Sequence, residues 1–171
     1  IQVIILYKIL KKGEIALKRT FWFGILLVIF FSISVPVFGQ DTVKIGANLE
    51  MTGGVAAYGQ MINEGVELIR EIVGTEVLGK QIEYVLVDNK SDKVEAANAT
   101  TRLIDKEKVV AIIGPAISGN MLAAGPICEE KKVPQLSATS TNPLVTQDKK
   151  YSFRATFIDS YQGLAAAQYA Y

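Results

Sequence analysis

Histidine is absent from the 171 residues, and Cys128 is the only cysteine. A metal centre built on imidazole and thiolate therefore lacks ligands, and a triad that needs histidine is excluded. A lone thiol also excludes an intrachain disulfide framework. Neither sign of charge dominates, since 18 Lys and Arg face 17 Asp and Glu. That balance argues against an electrostatic nucleic-acid binder, so no nucleic-acid partner is expected. Methionine is missing before Met51, and no charged side chain occurs between Phe21 and Gln40. What the chain does have is hydrophobic residues, 50% of the total, which rules out general disorder. The length suits one domain and is short for two.

The charge is unevenly distributed. Residues 1–39 carry Lys8, Lys11, Lys12, Lys18 and Arg19 against Glu14, a net +4, whereas residues 40–171 carry a net −3. Behind Lys18-Arg19 runs an apolar stretch from Phe21 to Phe31, followed by Pro36 and by Val37 and Gly39 at the −3 and −1 positions of a cut before Gln40. This is the layout of a helical secretory signal peptide. An uncharged run of ~18 residues could instead span a bilayer, but Pro36 and the serines shorten the apolar part to roughly the 7–15 of a signal peptide. Cleavage and export are the preferred reading, and an uncleaved anchor is the alternative. Residues 1–16 read as upstream read-through, with translation starting near Leu17 from a non-standard codon. The domain reading is thus a leader over 1–39 and a ligand-binding lobe over 40–158. Residues 159–171 are a crossing into a second lobe.

After the leader, strands and helices alternate. Val43–Leu49 alternates as a strand, and Ile62, Val66, Ile69 and Val73 recur at helical spacing before Gly74. Gln81–Val87 is a second strand. Asp92 with Glu95 reads as a capping box for the helix that carries Val94, Ala97, Leu103 and Ile104. The apolar run Val109–Ile113 suits a central strand covered on both faces. A third helix begins near Ser118, with a kink or restart expected at Pro126. Val133–Ser137 and Tyr151–Thr156 are further strands, and Leu164 begins a last helix. The fold class is α/β, an open parallel sheet with helices on both faces.

Ligands in such sheets bind beyond the carboxyl ends of the strands, which directs attention to loops 50–59, 88–92, 114–119 and 137–143. None carries a dinucleotide or phosphate-loop fingerprint, and no serine sits in a nucleophile elbow. Hydroxyls and backbone amides are binding equipment, so no catalytic residue, cofactor or metal is assigned. Ser118, at a helix N-terminus, is either a carboxylate-binding group or an N-cap. The run Ser137–Pro143 could receive both an ammonium and a carboxylate, or form a turn. Tyr58 could lay its ring over a ligand or cover the sheet end. Asp159 is a ligand group or a helix cap, and Cys128 is a small core hydrophobe.

Several segments together carry a resemblance. They are Gly46–Leu49 with Thr52-Gly53 and Ala57-Tyr58-Gly59, then Leu86–Asn89, then Val110–Pro115 with Ser118, then Val133–Pro143. Phe153–Thr156 with Asp159-Ser160 and Gln162-Gly163 completes the series. In this order they resemble the extracytoplasmic substrate-binding proteins of branched-chain amino-acid ABC transporters. The resemblance implies a type I periplasmic-binding fold, with two α/β lobes closing on an amino acid or small amide. It implies permease subunits as the partner that reads closure. It further implies that Ser118 and Thr141 hold the ligand carboxylate. The Thr139 carbonyl with the Thr141 hydroxyl would receive the ammonium, Tyr58 would pack on the ligand, and Asp159 would lie at the crossing between lobes. An alternative is a membrane-anchored sensing domain of the same fold.

Two departures stand out. Glu50 occupies a place where many members have a small residue or proline. Some members staple the loop after the second strand to the turn before the binding serine, and Ser91 and Ile117 offer no such staple. Family members are also far longer, so the chain reads as a fragment ending just after the first crossing.

Overall fold

The alternating run at the start of the mature segment forms β1 (Thr42–Leu49), and its inner residues from Gly46 onward are buried. The computed structural model describes residues 42–171. The leader assigned to 1–39, its cut before Gln40 and the start near Leu17 lie outside the described residues. Next come α1 (Ala56–Val73), the two-residue β2 (Glu76–Val77) and β3 (Lys80–Asp88). They are followed by α2 (Lys93–Asp105), β4 (Ala111–Ile113), α3 (Ser118–Lys131) and β5 (Gln135–Ser137). A 3-10 turn at Pro143–Val145, β6 (Ser152–Arg154) and α4 (Asp159–Ala170) complete the chain.

The strands form one sheet in the order β2-β3-β1-β4-β5-β6. All neighbours are parallel except β2 and β3, so the sheet is mixed where the sequence predicts a parallel one. The exception is a tight hairpin whose turn residues, Leu78 and Gly79, both have positive φ, 53° and 75°. Two-residue hairpins require that geometry, and Leu is not a residue that announces it. Helices cover both faces. From β1 the chain steps to β3 on one side, then returns past β1 to β4 on the other. The strand order therefore switches at the carboxyl end of β1.

Asp92 caps α2 as its sequence predicts, its carboxylate accepting from the Val94 and Glu95 amides at 2.8 and 2.9 Å. The reciprocal half of the box is not made, because the Asp92 amide donates to the Asn89 carbonyl instead. The core on this face gathers Leu103, Ile104, Val109, Ile112 and Cys128, with Val85 and Val87 against it. Burial pushes the Cys128 thiol up to about 12, with nearby Glu129 adding to the shift, so it is an inert core group. α3 runs unbroken through Pro126, with no restart there.

Three other expectations need correction. Val110 is exposed and Ala111 and Ile113 are only half-buried, so β4 is not covered on both faces by the described residues. On α1, Ile62 and Val66 are half-buried but Ile69 and Val73 are exposed. The close contact of α1 is at its first turn, where Gly59 meets the backbone of Glu50; a Cβ at Gly59 would lie 2.4 Å from the Glu50 carbonyl oxygen. α4 begins at Asp159 rather than Leu164, because Ile158 already has the extended backbone of an N-cap.

Candidate functional site

The carboxyl ends of β1, β3, β4 and β5 lie side by side, so their loops form one rim of the sheet. The first loop is held down by the strand beside it. Asp88, the last residue of β3, accepts from the Met51 amide at 3.0 Å, the Thr52 hydroxyl at 2.7 Å and the Lys90 amide at 2.8 Å. Ser91 adds a second tie, donating to the Thr52 carbonyl at 2.7 Å. Burial alone would raise the Asp88 carboxyl, but these hydrogen bonds from Thr52, Lys90 and Met51 outweigh it and hold the group below its usual range.

A group with a lowered folded pKa contributes stability above its unfolded value, and loses it as pH falls through the folded value. An Asp88→Asn variant is therefore expected to melt below the wild type at pH 7. The gap should close below about pH 4, the region of an unperturbed aspartate. Paired thermal melts from pH 7 to 3 check this, and a gap that stays constant across the series contradicts it.

The turn between β4 and α3 is pinned from two sides. Its carbonyls are taken by hydroxyls at the end of β5 and in the loop that follows. Ser137 donates to Pro115 at 2.7 Å, Thr139 to Ala116 at 2.7 Å and Ser140 to Ala116 at 3.0 Å. Its amides are taken by Glu50, which accepts from Ala116 at 2.9 Å and Ile117 at 3.4 Å. The Asn120 side chain donates to the same carboxylate at 2.9 Å, and more weakly to Asn89 at 3.4 Å. Asn89 in turn donates to Asn48 at 2.9 Å, and Asn48 donates to Thr100 at 2.9 Å. Hydrogen bonds through Asn89, Asn120 and Glu50 thus connect the loop after β3 with the turn before Ser118.

Ser118 opens α3, but Ile117 occupies the N-cap position and no side-chain cap bond is made. Its hydroxyl oxygen instead accepts from the Asn142 amide at 3.3 Å, which leaves its own hydrogen available to donate. Ser118 and the Thr141-Asn142 segment are thereby adjacent. The Thr139 hydroxyl is spent on Ala116, whereas its carbonyl and the Thr141 hydroxyl have no partner among the described residues. Arg154, on β6, secures the same segment from behind. Its guanidinium donates to the carbonyls of Asn142 at 2.9 Å and Pro143 at 3.0 Å, and to the Thr146 hydroxyl.

Asp159 is the first residue of α4, and its amide donates to the Thr141 carbonyl at 3.2 Å. Its exposed side chain caps nothing. Tyr58 stands in the first turn of α1, 53% exposed, next to the Gly59 that abuts Glu50. The rim therefore joins Ser118, Thr139, Thr141 and Asp159 directly, and Tyr58 through the Glu50 backbone. Sequence reading assigns no individual role to Glu50, Asn120 or Arg154, and Asn142 enters it only as part of the run Ser137–Pro143. Glu50 offered one signal, an acid directly after the apolar end of a buried strand.

Comparison with known proteins agrees with this architecture. The chain is 30% identical, over 94% of its length, to a leucine-, isoleucine-, valine-, threonine- and alanine-binding protein of Pseudomonas aeruginosa. Among solved structures it is similar to a leucine binding protein from Thermotoga maritima, with 53% identity and a TM-score of 0.71 over 75% of this chain. It is also similar to a branched-chain amino acid transporter substrate binding protein from Streptococcus pneumoniae in complex with isoleucine, with 43% identity and a TM-score of 0.67 over 70% of this chain. A third, the solute binding protein of an ABC transporter from Rhodopseudomonas palustris in complex with 3,4-dihydroxy benzoic acid, has 32% identity and a TM-score of 0.67 over 70% of this chain. The chain spans 42% of the Pseudomonas protein and 37%, 35% and 33% of the three solved chains. The family described as periplasmic binding protein matches residues 42–171, and the chain belongs to that family.

Proposed function

We propose that residues 40–158 are the first lobe of an extracytoplasmic solute-binding protein of an ABC transporter. Its ligand is an amino acid of the branched-chain type or a related small amide. The lobe presents the ligand to a second lobe, and the permease subunits read the closed form. Residues 1–39 serve as the export leader, and 159–171 begin the crossing to the other lobe. The observation that carries this reading is the junction of Ser118 with Asn142 at the switch in strand order. There a hydroxyl hydrogen, the Thr141 hydroxyl and the Thr139 carbonyl remain open beside a helix N-terminus. That set can match a zwitterion, with hydroxyls and partial positive charge for the carboxylate and a carbonyl for the ammonium. No bond is made or broken. The names of the relatives, among them binders of leucine and isoleucine, support the amino-acid choice.

The test is calorimetry on the full-length protein with leucine, isoleucine, valine, small amides and hydroxybenzoates. Binding of one of the amino acids is expected, and Ser118→Ala should weaken it about tenfold, the loss of one hydrogen bond to a charged group. An unchanged affinity in that variant removes Ser118 from the site, and a response to hydroxybenzoates alone replaces the ligand class. Residues 40–171 by themselves should bind far more weakly, because closure by a second lobe supplies the remaining contacts and excludes water.

A further inference from the structure

Glu50 is the most unusual side chain in the described residues. It is fully buried, with 0% exposure, although an acid is among the residues least often found inside. Such a group is tolerated only when its oxygens are matched by donors. Here the Ala116 amide serves Oε2, and the Ile117 amide and Asn120 Nδ2 serve Oε1. Both carboxylate oxygens accept hydrogen bonds from these donors. No cation stands among its three donors, so the partners are dipoles at the start of α3. The same residue's backbone meets Gly59 at the first turn of α1. Glu50 thus touches both the turn bearing Tyr58 and the turn that ends at Ser118.

The hydroxyls of Ser137, Thr139 and Ser140 fix only the carbonyls of the 115–116 turn. Its amides have Glu50 as their acceptor. Without that carboxylate the Ala116 and Ile117 amides lie buried or half-buried with no partner, and the turn must rotate to reach water. Such a rotation moves Ser118, the next residue, off Asn142.

We infer that Glu50 is a positioning residue of the ligand site. Its side chain is an internal acceptor that occupies the Ala116 and Ile117 amides just before α3 and fixes the Ser118 hydroxyl against the loop after β5. The inference rests on the proposed role of Ser118 in binding and adds a residue that would never touch the ligand itself.

The test uses the full-length protein, wild type and Glu50→Gln, with Leu103→Ala as a control of comparable destabilisation far from the rim. Amide hydrogen exchange of Ala116 and Ile117 is read without ligand, and affinity for the amino acid that the wild type binds is read by calorimetry. In Glu50→Gln those two amides are expected to exchange at least about tenfold faster and the affinity to fall about tenfold or more. Leu103→Ala should change neither by more than about twofold once exchange is corrected for its lower global stability. Unchanged exchange at Ala116 and Ile117 overturns the inference, as does unchanged affinity or an equal effect of Leu103→Ala. A wild type that binds no amino acid defeats the functional reading, while the exchange measurement still decides whether Glu50 holds the turn. If Glu50→Gln fails to fold, Asn120→Asp sets a second carboxyl against the first and should open the same two amides. Protection as strong as in the wild type there also overturns it.

Discussion

Gly114→Ala is expected to cost about 3 kcal/mol or more. Two effects add. Gly114 has φ +89°, a backbone conformation in which a side chain costs about 1–2 kcal/mol. A Cβ there would also lie 2.3 Å from the Asn48 carbonyl oxygen and 2.8 Å from Leu49 Cδ2. Neither neighbour can retreat, because both belong to the buried end of β1. Forcing them apart adds about 1–3 kcal/mol. Gly114 is moreover bonded in place, its amide donating to the Leu136 carbonyl at 2.8 Å. Gly65 is the contrast, since it lies within α1 and a Cβ there meets nothing within 4 Å. Gly65→Ala should leave the protein unchanged or stabilise it by up to about 1 kcal/mol, the helix propensity of alanine over glycine. Urea melts of the two variants beside the wild type decide the matter. A Gly114→Ala midpoint level with that of Gly65→Ala would mean that the turn has room that this geometry denies.

The parts of the fold that were legible in the sequence are those in which one segment contains its own instructions. α2 announces itself because Asp92 and the apolar spacing through Ile104 act within a few residues of one another. Gly74 stops α1 for the same reason, its amide closing on Arg70. β2 was not legible, because its hairpin places Leu78 in a left-handed conformation that usually calls for Asn, Asp or Gly. The length of the buried stripe on α1 was also misread. Periodicity says which face is apolar, but only the neighbours decide how much of it is covered, and Ile69 and Val73 are left exposed.

The rim separates in the same way. Ser118 stood out because a hydroxyl directly after a buried strand is a local pattern. What it does depends on the backbone amide of Asn142, which no side chain advertises. Glu50 was visible only as a departure. Its acceptors' work is done on amides 66 and 67 residues further along, so nothing near it in sequence explains its burial. The richness of Ser137–Thr141 in hydroxyls proved divided. Three of the hydroxyls brace the neighbouring turn, and that of Thr141 is left open. Composition marked the loop, and geometry sorted its members.

Arg154→Ala should lower stability by about 2–3 kcal/mol and weaken ligand binding with it, because one guanidinium shapes the whole segment that carries Thr141. Its NH1 group spans the carbonyls of Thr141 and Asn142, at 3.4 and 2.9 Å, while NH2 reaches Pro143 and Thr146. Removing it strands several acceptors in a half-buried loop. Each would cost about 1–3 kcal/mol if fully buried, but water can reach some of them, which keeps the total near the lower end. The planar fork matters as much as the charge. A lysine offers one compact ammonium that cannot reach acceptors spread over three residues as the guanidinium fork does, so Arg154→Lys should recover less than about half of the loss. Urea denaturation gives the stability difference, and calorimetry with the bound amino acid gives the effect on Thr141. If lysine restores both fully, charge alone holds the loop and the fork geometry is incidental. If alanine itself matches the wild type, the segment keeps its shape without the guanidinium, and its order must come from Asn142, whose side chain accepts from the Leu144 amide at 2.9 Å.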